Sequence, residues 1–201
     1  MTTATTSSVF AAPPVPRPKR FTCAEFHQLG DMGWFQGRRA MLIDGEIMEM
    51  AVSNPPHAVA VTLADYELKK VFASGFVVRI QMPLVLGLMT DPEPDLAVVT
   101  GNARDYLAAH PSTALLALEI SDSSLAFDTT DKASIYAAGN IPDYWVVDLV
   151  NRQVIVFRNP QPDSTQPYSF GYASKTFHAP GSTVSPLAVP PATIAVADLL
   201  P

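Results

Sequence analysis

Three charged residues in this chain have the types and surroundings that metal-assisted phosphodiester chemistry needs: Asp95, Glu119 and Lys132. Glu119 stands in an almost unbroken apolar run from Ala114 to Ile120, the pattern of a strand covered on both faces. An ionised carboxylate buried there without a partner costs several kcal/mol or keeps its proton. A metal ion removes that cost by supplying positive charge where the carboxylate needs it. Strand parity puts Glu119 on the same face as Ser121, opposite Leu118 and Ile120. Asp95 opens the strand candidate Leu96 to Thr100. Alone it reads as a turn aspartate; beside a second carboxylate on an adjacent strand it becomes half of a site for a hard, oxygen-seeking cation. Lys132 lies near the start of a helix that follows the Glu119 strand, so its ammonium can reach back and meet charge developing on phosphorus. A lysine on a helix surface is common, and only the combination carries meaning.

Those residues need a scaffold, and the chain has the material for one. Its 201 residues fit one domain of ordinary size, and 48% hydrophobic with 16% charged residues describes a globular body rather than a disordered chain. Residues 1–20 are polar and proline-rich and read as a mobile arm; residues 21–201 read as a single domain. The basic trio Arg17, Lys19 and Arg20 could touch phosphate, but solvated tail residues explain it better.

Thr22 with Glu25 forms a capping-box signature for a first helix ending near Gly30. Met41 to Met50 predicts a hairpin around Asp44-Gly45, with Leu42, Asp44, Glu46 and Met48 on one face. Pro55-Pro56 precedes a second helix, from His57 to about Phe72, whose apolar face includes Val59, Leu63, Tyr66 and Val71. Strands follow over Phe76 to Leu86 and Leu96 to Thr100, then a short helix over Ala103 to Ala109. Asp128 caps a helix that runs to Ala138 and stops at Gly139-Asn140. Tyr144 to Leu149 and Val154 to Arg158 form a second hairpin, Tyr168 to Phe177 an edge strand, and Thr193 to Leu200 a terminal cap on the core. The simplest packing of that order is an α/β fold: a mixed sheet with helices on its faces.

These pieces together resemble the restriction-endonuclease-like family within the PD-(D/E)XK nuclease superfamily. The matching runs are Leu42 to Ile47 with Met50; Pro56-His57; Pro94-Asp95 through Val99; Leu118 to Ser121; Asp128, Lys132 and Tyr136 at spacings of four; and Gly139 through Asp148. Each is weak alone, and their common order is fairly specific. The resemblance implies a restriction-endonuclease-like mixed β-sheet flanked by helices, a Mg2+ (or Mn2+) cofactor and DNA as the usual substrate. It implies Asp95 and Glu119 as metal ligands, with the carbonyl of Ile120 joining them, and Lys132 as the catalytic lysine. The superfamily expects a lysine two residues after the acid; Ser121 stands there, and the family places its lysine on the next helix, at Lys132. Glu46 and His57 also match family positions as catalytic candidates. An exposed hairpin carboxylate describes Glu46 equally well, and a helix-start packing or capping role describes His57 at least as well. Asp148 reads as structural. Tyr136, Tyr144 and Trp145 fit the core or a dimer contact better than base stacking.

A net charge of −6 argues against a non-specific nucleic-acid coat. Paired Cys or closely spaced His for zinc, a phosphate-binding glycine loop and a nucleophile elbow are all missing from the sequence. The expected function is a metal-dependent endodeoxyribonuclease. Its alternative is a non-catalytic, dimeric binding or assembly module on the same fold, joined through a sheet edge or the Tyr144-Trp145 region; an RNA nuclease is a third reading. The lone Cys23, the short apolar runs and an N-terminus without a signal pattern suit a cytoplasmic protein outside the membrane. A homodimer is compatible with cutting both strands of a duplex.

Overall fold

The structure, a computed structural model, describes residues 15–50 and 53–201. Of the expected N-terminal arm, residues 1–14 lie outside these. Residues 15–20 carry no helix or strand, but Lys19 reaches Glu25, and Arg20 reaches Asp44 and Glu46.

Thr22 accepts from the backbone N–H of Glu25, and the Glu25 carboxylate takes the N–H of Thr22, so α1 (Cys23–Asp31) starts at the capping box the sequence predicts. Strands β1 (Arg39–Ile43) and β2 (Glu46–Met50) pair as the expected hairpin. Asp44 and Gly45 both take left-handed backbone conformations (φ 46° and 78°), as a two-residue hairpin turn requires. The turn resets the alternation. Met41 pairs with Met48 and Leu42 with Ile47, so Met48 shares a face with Met41 rather than with Leu42. A Cβ on Gly45 would lie 2.7 Å from the Arg20 Cβ and 3.1 Å from the Phe21 nitrogen. Gly45→Ala is therefore expected to cost about 1–3 kcal/mol, read as a lower urea midpoint.

Asn54 caps α2 (Pro55–Val71), accepting from the N–H of His57, so the two prolines fill the first turn instead of preceding it. The buried face of α2 is Ala60, Val61, Ala64 and Leu68, whereas Val59 and Tyr66 are exposed. The two alanines allow the helix close to the sheet, and close approach decides the face over side-chain bulk.

The main sheet has six strands: β3 (Phe76–Ile80), β4 (Leu96–Thr100), β5 (Leu116–Ser121), β6 (Asp143–Asp148), β7 (Gln153–Pro162) and β8 (Phe170–His178), in spatial order β3-β4-β5-β6-β7-β8. Only β5 and β6 are parallel; every other neighbouring pair is antiparallel. All six residues of β5 and of β6 are buried, as strands covered on both faces should be. β3 stops at Ile80 rather than Leu86, because Gln81 turns into a left-handed conformation (φ 48°) and Pro83 follows. The helix expected over Ala103 to Ala109 is one tight turn, Ala103–Tyr106.

One face of the sheet, with Leu96, Leu116, Leu118, Trp145 and Val156, packs on α2. Residues of the C-terminal segment, including Ile194, Val196 and Leu199, complete that core, so the expected terminal cap is present. The other face, with Ala97, Ala117, Tyr144, Val146 and Phe157, packs on Ala133 and Tyr136. Those two belong to the crossover between β5 and β6, which runs as α3 (Leu125–Phe127), a wide i→i+5 turn over Asp128–Lys132, and α4 (Ala133–Ala138). Helical structure thus begins at Leu125, and Asp128 lies inside it rather than capping it. No helix among the described residues is long and apolar enough to cross a membrane.

Candidate active site

Where the β4–β5 pairing runs out, just beyond the Leu96–Leu118 pair, a gap opens at the sheet's end. Asp95 fills it. Its Oδ2 accepts from the backbone N–H of Ile120 (2.9 Å) and contacts His57 Nε2 (3.1 Å), and its Oδ1 accepts from Gln81 Nε2 (3.2 Å). In a strand the N–H and C=O of one residue leave by the same edge, so the Ile120 carbonyl is directed toward the Asp95 side as well. The backbone N–H of Asp95 in turn points at Glu119 Oε2 (3.3 Å).

Glu119 is 1% exposed. Oε2 receives the Lys132 ammonium at 2.8 Å, and Oε1 receives the Tyr136 hydroxyl at 2.6 Å. Lys132 also lies 3.5 Å from Asp128, itself buried. The wide helical turn is what makes this possible. It places Asp128 and Lys132 on the sheet-facing side of the crossover together, and such turns recur at functional sites.

Burial pushes the Glu119 carboxyl up to about 8, against the pull of Lys132. Lys132 is also raised: burial works to lower it, and Glu119 and Asp128 overcome that, so it stays a cation. Burial works to raise Asp95, yet its bond from His57 leads a set of opposing interactions that hold it below the usual carboxylate range. The same bond to Asp95 raises His57 above its ordinary value.

The sign of the pH dependence follows for this pair. A raised histidine stabilises the fold below pH 6.5 and loses that contribution as pH climbs through its folded value. A depressed aspartate contributes above pH 3.8 and loses it as pH falls toward its folded value. With chelator present, His57→Gln is therefore expected to flatten the decline of stability on the alkaline side of pH 6.5, as followed by urea midpoints across a pH series.

These groups line a cleft of about 330 Å³, with walls that include Met41, Met48 and Met50 of the hairpin, Phe127 of α3, and Arg39 and Glu93. The structure thus brings Asp95, Glu119, Lys132, His57 and Ile120 together. It does not bring Glu46 with them: Glu46 sits beside the hairpin turn, exposed, 3.1 Å from Arg20 and outside the cleft. Glu49 of the same strand lines the cleft instead. Ser121 leaves a buried hydroxyl without a hydrogen-bond partner. Tyr144 and Trp145 are fully buried in the sheet's central strands, so neither offers a surface for a dimer contact.

Three participants escape the sequence reading. Gln81 fell inside the strand expected over Phe76 to Leu86 and carried no signal of its own. Asp128 read as a cap. Tyr136 read as core, which it is, but its hydroxyl serves Glu119.

The family model for Uma2, described as "Putative restriction endonuclease", matches residues 23–197. The chain belongs to this family. Among solved structures, a protein from Anabaena variabilis described as a "putative nuclease" is similar over 80% of this chain and 88% of its own, at 12% identity and a TM-score of 0.59. That likeness is one of fold: a mixed sheet flanked by helices, as a nuclease-like architecture requires. No curated protein matches the chain. The Uma2 match spans every element that builds the cleft and, with the fold, supports a nuclease-like function.

Proposed function

We propose that this Uma2 protein is an endonuclease of the PD-(D/E)XK type that hydrolyses DNA phosphodiester bonds with a magnesium-type divalent cation. The observation that carries the reading is the convergence of Asp95, Glu119 and Lys132, far apart in sequence, on one buried corner of a cleft.

The donor set fits such a cation. Two carboxylates and a backbone carbonyl are hard oxygen ligands, and magnesium uses one or two carboxylates and keeps its remaining waters. Among the described residues no three His, Cys, Asp or Glu side chains form a metal cage, so the ion would rest on two carboxylates, the carbonyl and its own waters. Asp95, Glu119 and the Ile120 carbonyl would hold the ion. When bound, it supplies positive charge to the phosphate and lowers the pKa of water.

The chain's own residues do the rest. Lys132, kept cationic by Glu119 and Asp128, is placed to donate to a phosphate oxygen as negative charge grows on it. His57, oriented through Nε2 by Asp95, keeps a buried Nδ1 with no partner. That nitrogen is free to hydrogen-bond a phosphate oxygen or to pass a proton to the departing one. Tyr136 and Gln81 fix the two carboxylates, so that little reorganisation accompanies the reaction.

Incubating the protein with DNA in the presence of Mg2+ or Mn2+ should yield cuts that a chelator stops and that Asp95→Asn lacks. Absence of cleavage on every DNA form tested, with each divalent cation, overturns the reading. Cleavage confined to RNA would move the substrate and keep the chemistry.

A further inference from the structure

We propose, on the basis of the nuclease reading above, that the cleft takes an unpaired nucleotide strand rather than a base-paired duplex. Its volume of about 330 Å³ is at the low end of sites that enclose a small molecule, enough for about one nucleotide unit and far short of a double helix. The groups that must reach the phosphate lie deep: Glu119 is 1% exposed, and Asp95 and Lys132 are 8% each.

Charge points the same way. Proteins that hold a duplex neutralise several phosphates with free Lys and Arg. The cations lining this cleft are Arg39, Lys132 and His57, and each already touches a carboxylate: Glu93, Glu119 and Asp95 respectively. Further acids line the same cleft: Asp122, which accepts from the Asn54 amide, and Glu49, which is paired with Arg38. They would oppose the flanking phosphates and the second strand of a duplex, whereas one phosphate placed on a carboxylate-held cation escapes that penalty.

The uncharged part of the wall joins the polar Ser53, Asn54, Ser123 and Ser124 to an apolar, adaptable stretch of Met41, Met48, Met50 and Phe127. Thioethers and a phenyl ring pack against the flat face of any base, without reading its hydrogen-bonding edge. The cleft therefore recognises a strand by having an open base and one phosphate.

The test uses a fluorescein-labelled oligodeoxynucleotide, either single-stranded or annealed to its complement. Anisotropy is read with Ca2+ across a NaCl series, beside Mg2+- or Mn2+-driven cleavage of a duplex bearing an unpaired 3′ tail. The single strand should bind at least about tenfold tighter than the duplex. Its log–log salt slope should be about −1, the value for one or two phosphates, and the cuts should fall in the tail. Met48 is partly exposed, so Met48→Glu should fold normally while weakening single-strand binding about tenfold, and Met48→Phe should retain it. Equal or tighter duplex binding, a slope of several phosphates, or cuts within paired DNA overturns this inference and leaves the nuclease reading standing. No binding and no cleavage of either form overturns both.

Discussion

Exchanging Glu119 for glutamine should lower cation-dependent DNA cleavage by about 10²–10³-fold, the scale on which removal of one preorganised charge is felt in an active site. Gln is nearly isosteric with the carboxyl: its one carbonyl oxygen can still accept from the Lys132 ammonium, while its NH2 replaces the oxygen facing Tyr136, whose hydroxyl can accept from it. The fold should survive, and its pH response should change in a defined direction. In the native protein the folded-state carboxyl titrates near 8 against 4.5 for a free one. Between those values the folded state holds one more proton than the unfolded chain. Stability is therefore full below about pH 4.5, declines as pH rises, and stays low above about 8. Gln cannot ionise, so the variant lacks this decline and gains on the native protein as pH rises toward 8. A divalent cation should then raise the native midpoint at alkaline pH by mass action and leave the variant unmoved. Measured cleavage within tenfold of native, or an undiminished cation-induced shift, would remove Glu119 from the metal site.

The two carboxylates were legible because the sequence makes each conspicuous for a different physical reason. Glu119 interrupts a run whose neighbours are all apolar, and the structure keeps all six β5 residues buried. Asp95 follows two prolines spaced through a loop and enters a strand of the same sheet. The supporting groups were not legible, since their signals belong to geometry rather than composition. Asp128 looks like a helix cap until the crossover proves to begin at Leu125 and to widen by one residue per turn. That widening is set by packing against the sheet, to which no local propensity points. Gln81 reaches Asp95 only because its backbone leaves the β region.

The elements themselves divide along the same line. Periodicity and caps located α1, the β1–β2 hairpin, β4 through β8 and the buried C-terminal segment, because each has a period or a stop written locally. Which face of α2 lies on the sheet was misread. Val59 and Tyr66 carry the larger apolar surface, but Ala60 and Ala64 set the distance of closest approach. Glu46 was a candidate by family position alone; it shares the face of Met48, but sits at the turn end of β2 against Arg20, short of the cleft.

Removing Asp143 should be among the most damaging single changes to the fold, about 3–5 kcal/mol for Asp143→Ala, although the residue has no part in the cleft. It opens β6, is fully buried, and its carboxylate gathers donors from three parts of the chain: Trp145 Nε1 at 2.7 Å, Arg158 Nε at 2.9 Å and the Leu187 backbone N–H at 2.9 Å. Arg158 is partly exposed and donates to Ser185 as well, so its charge can find water when the carboxylate goes. The indole N–H of fully buried Trp145 cannot, and each orphaned buried donor costs about 1–3 kcal/mol. The Leu187 contact ties the loop leading to the C-terminal segment to the sheet, and that segment completes the core over α2. Loss of the carboxylate therefore loosens a second region at once. Asp143→Asn retains an acceptor for Trp145 but forfeits the charge that holds Arg158, and should cost roughly half as much. Urea unfolding separates these outcomes, with the midpoint falling in the order native, Asp143→Asn, Asp143→Ala at an unchanged slope. Because Asp143 lies on the strand parallel to β5 and one residue before the Ala117–Tyr144 pair, the folded fraction that remains should keep its cation-dependent cleavage per molecule. A loss of specific activity beyond the loss of folded protein would mean that the sheet transmits strain from this ion pair to Glu119.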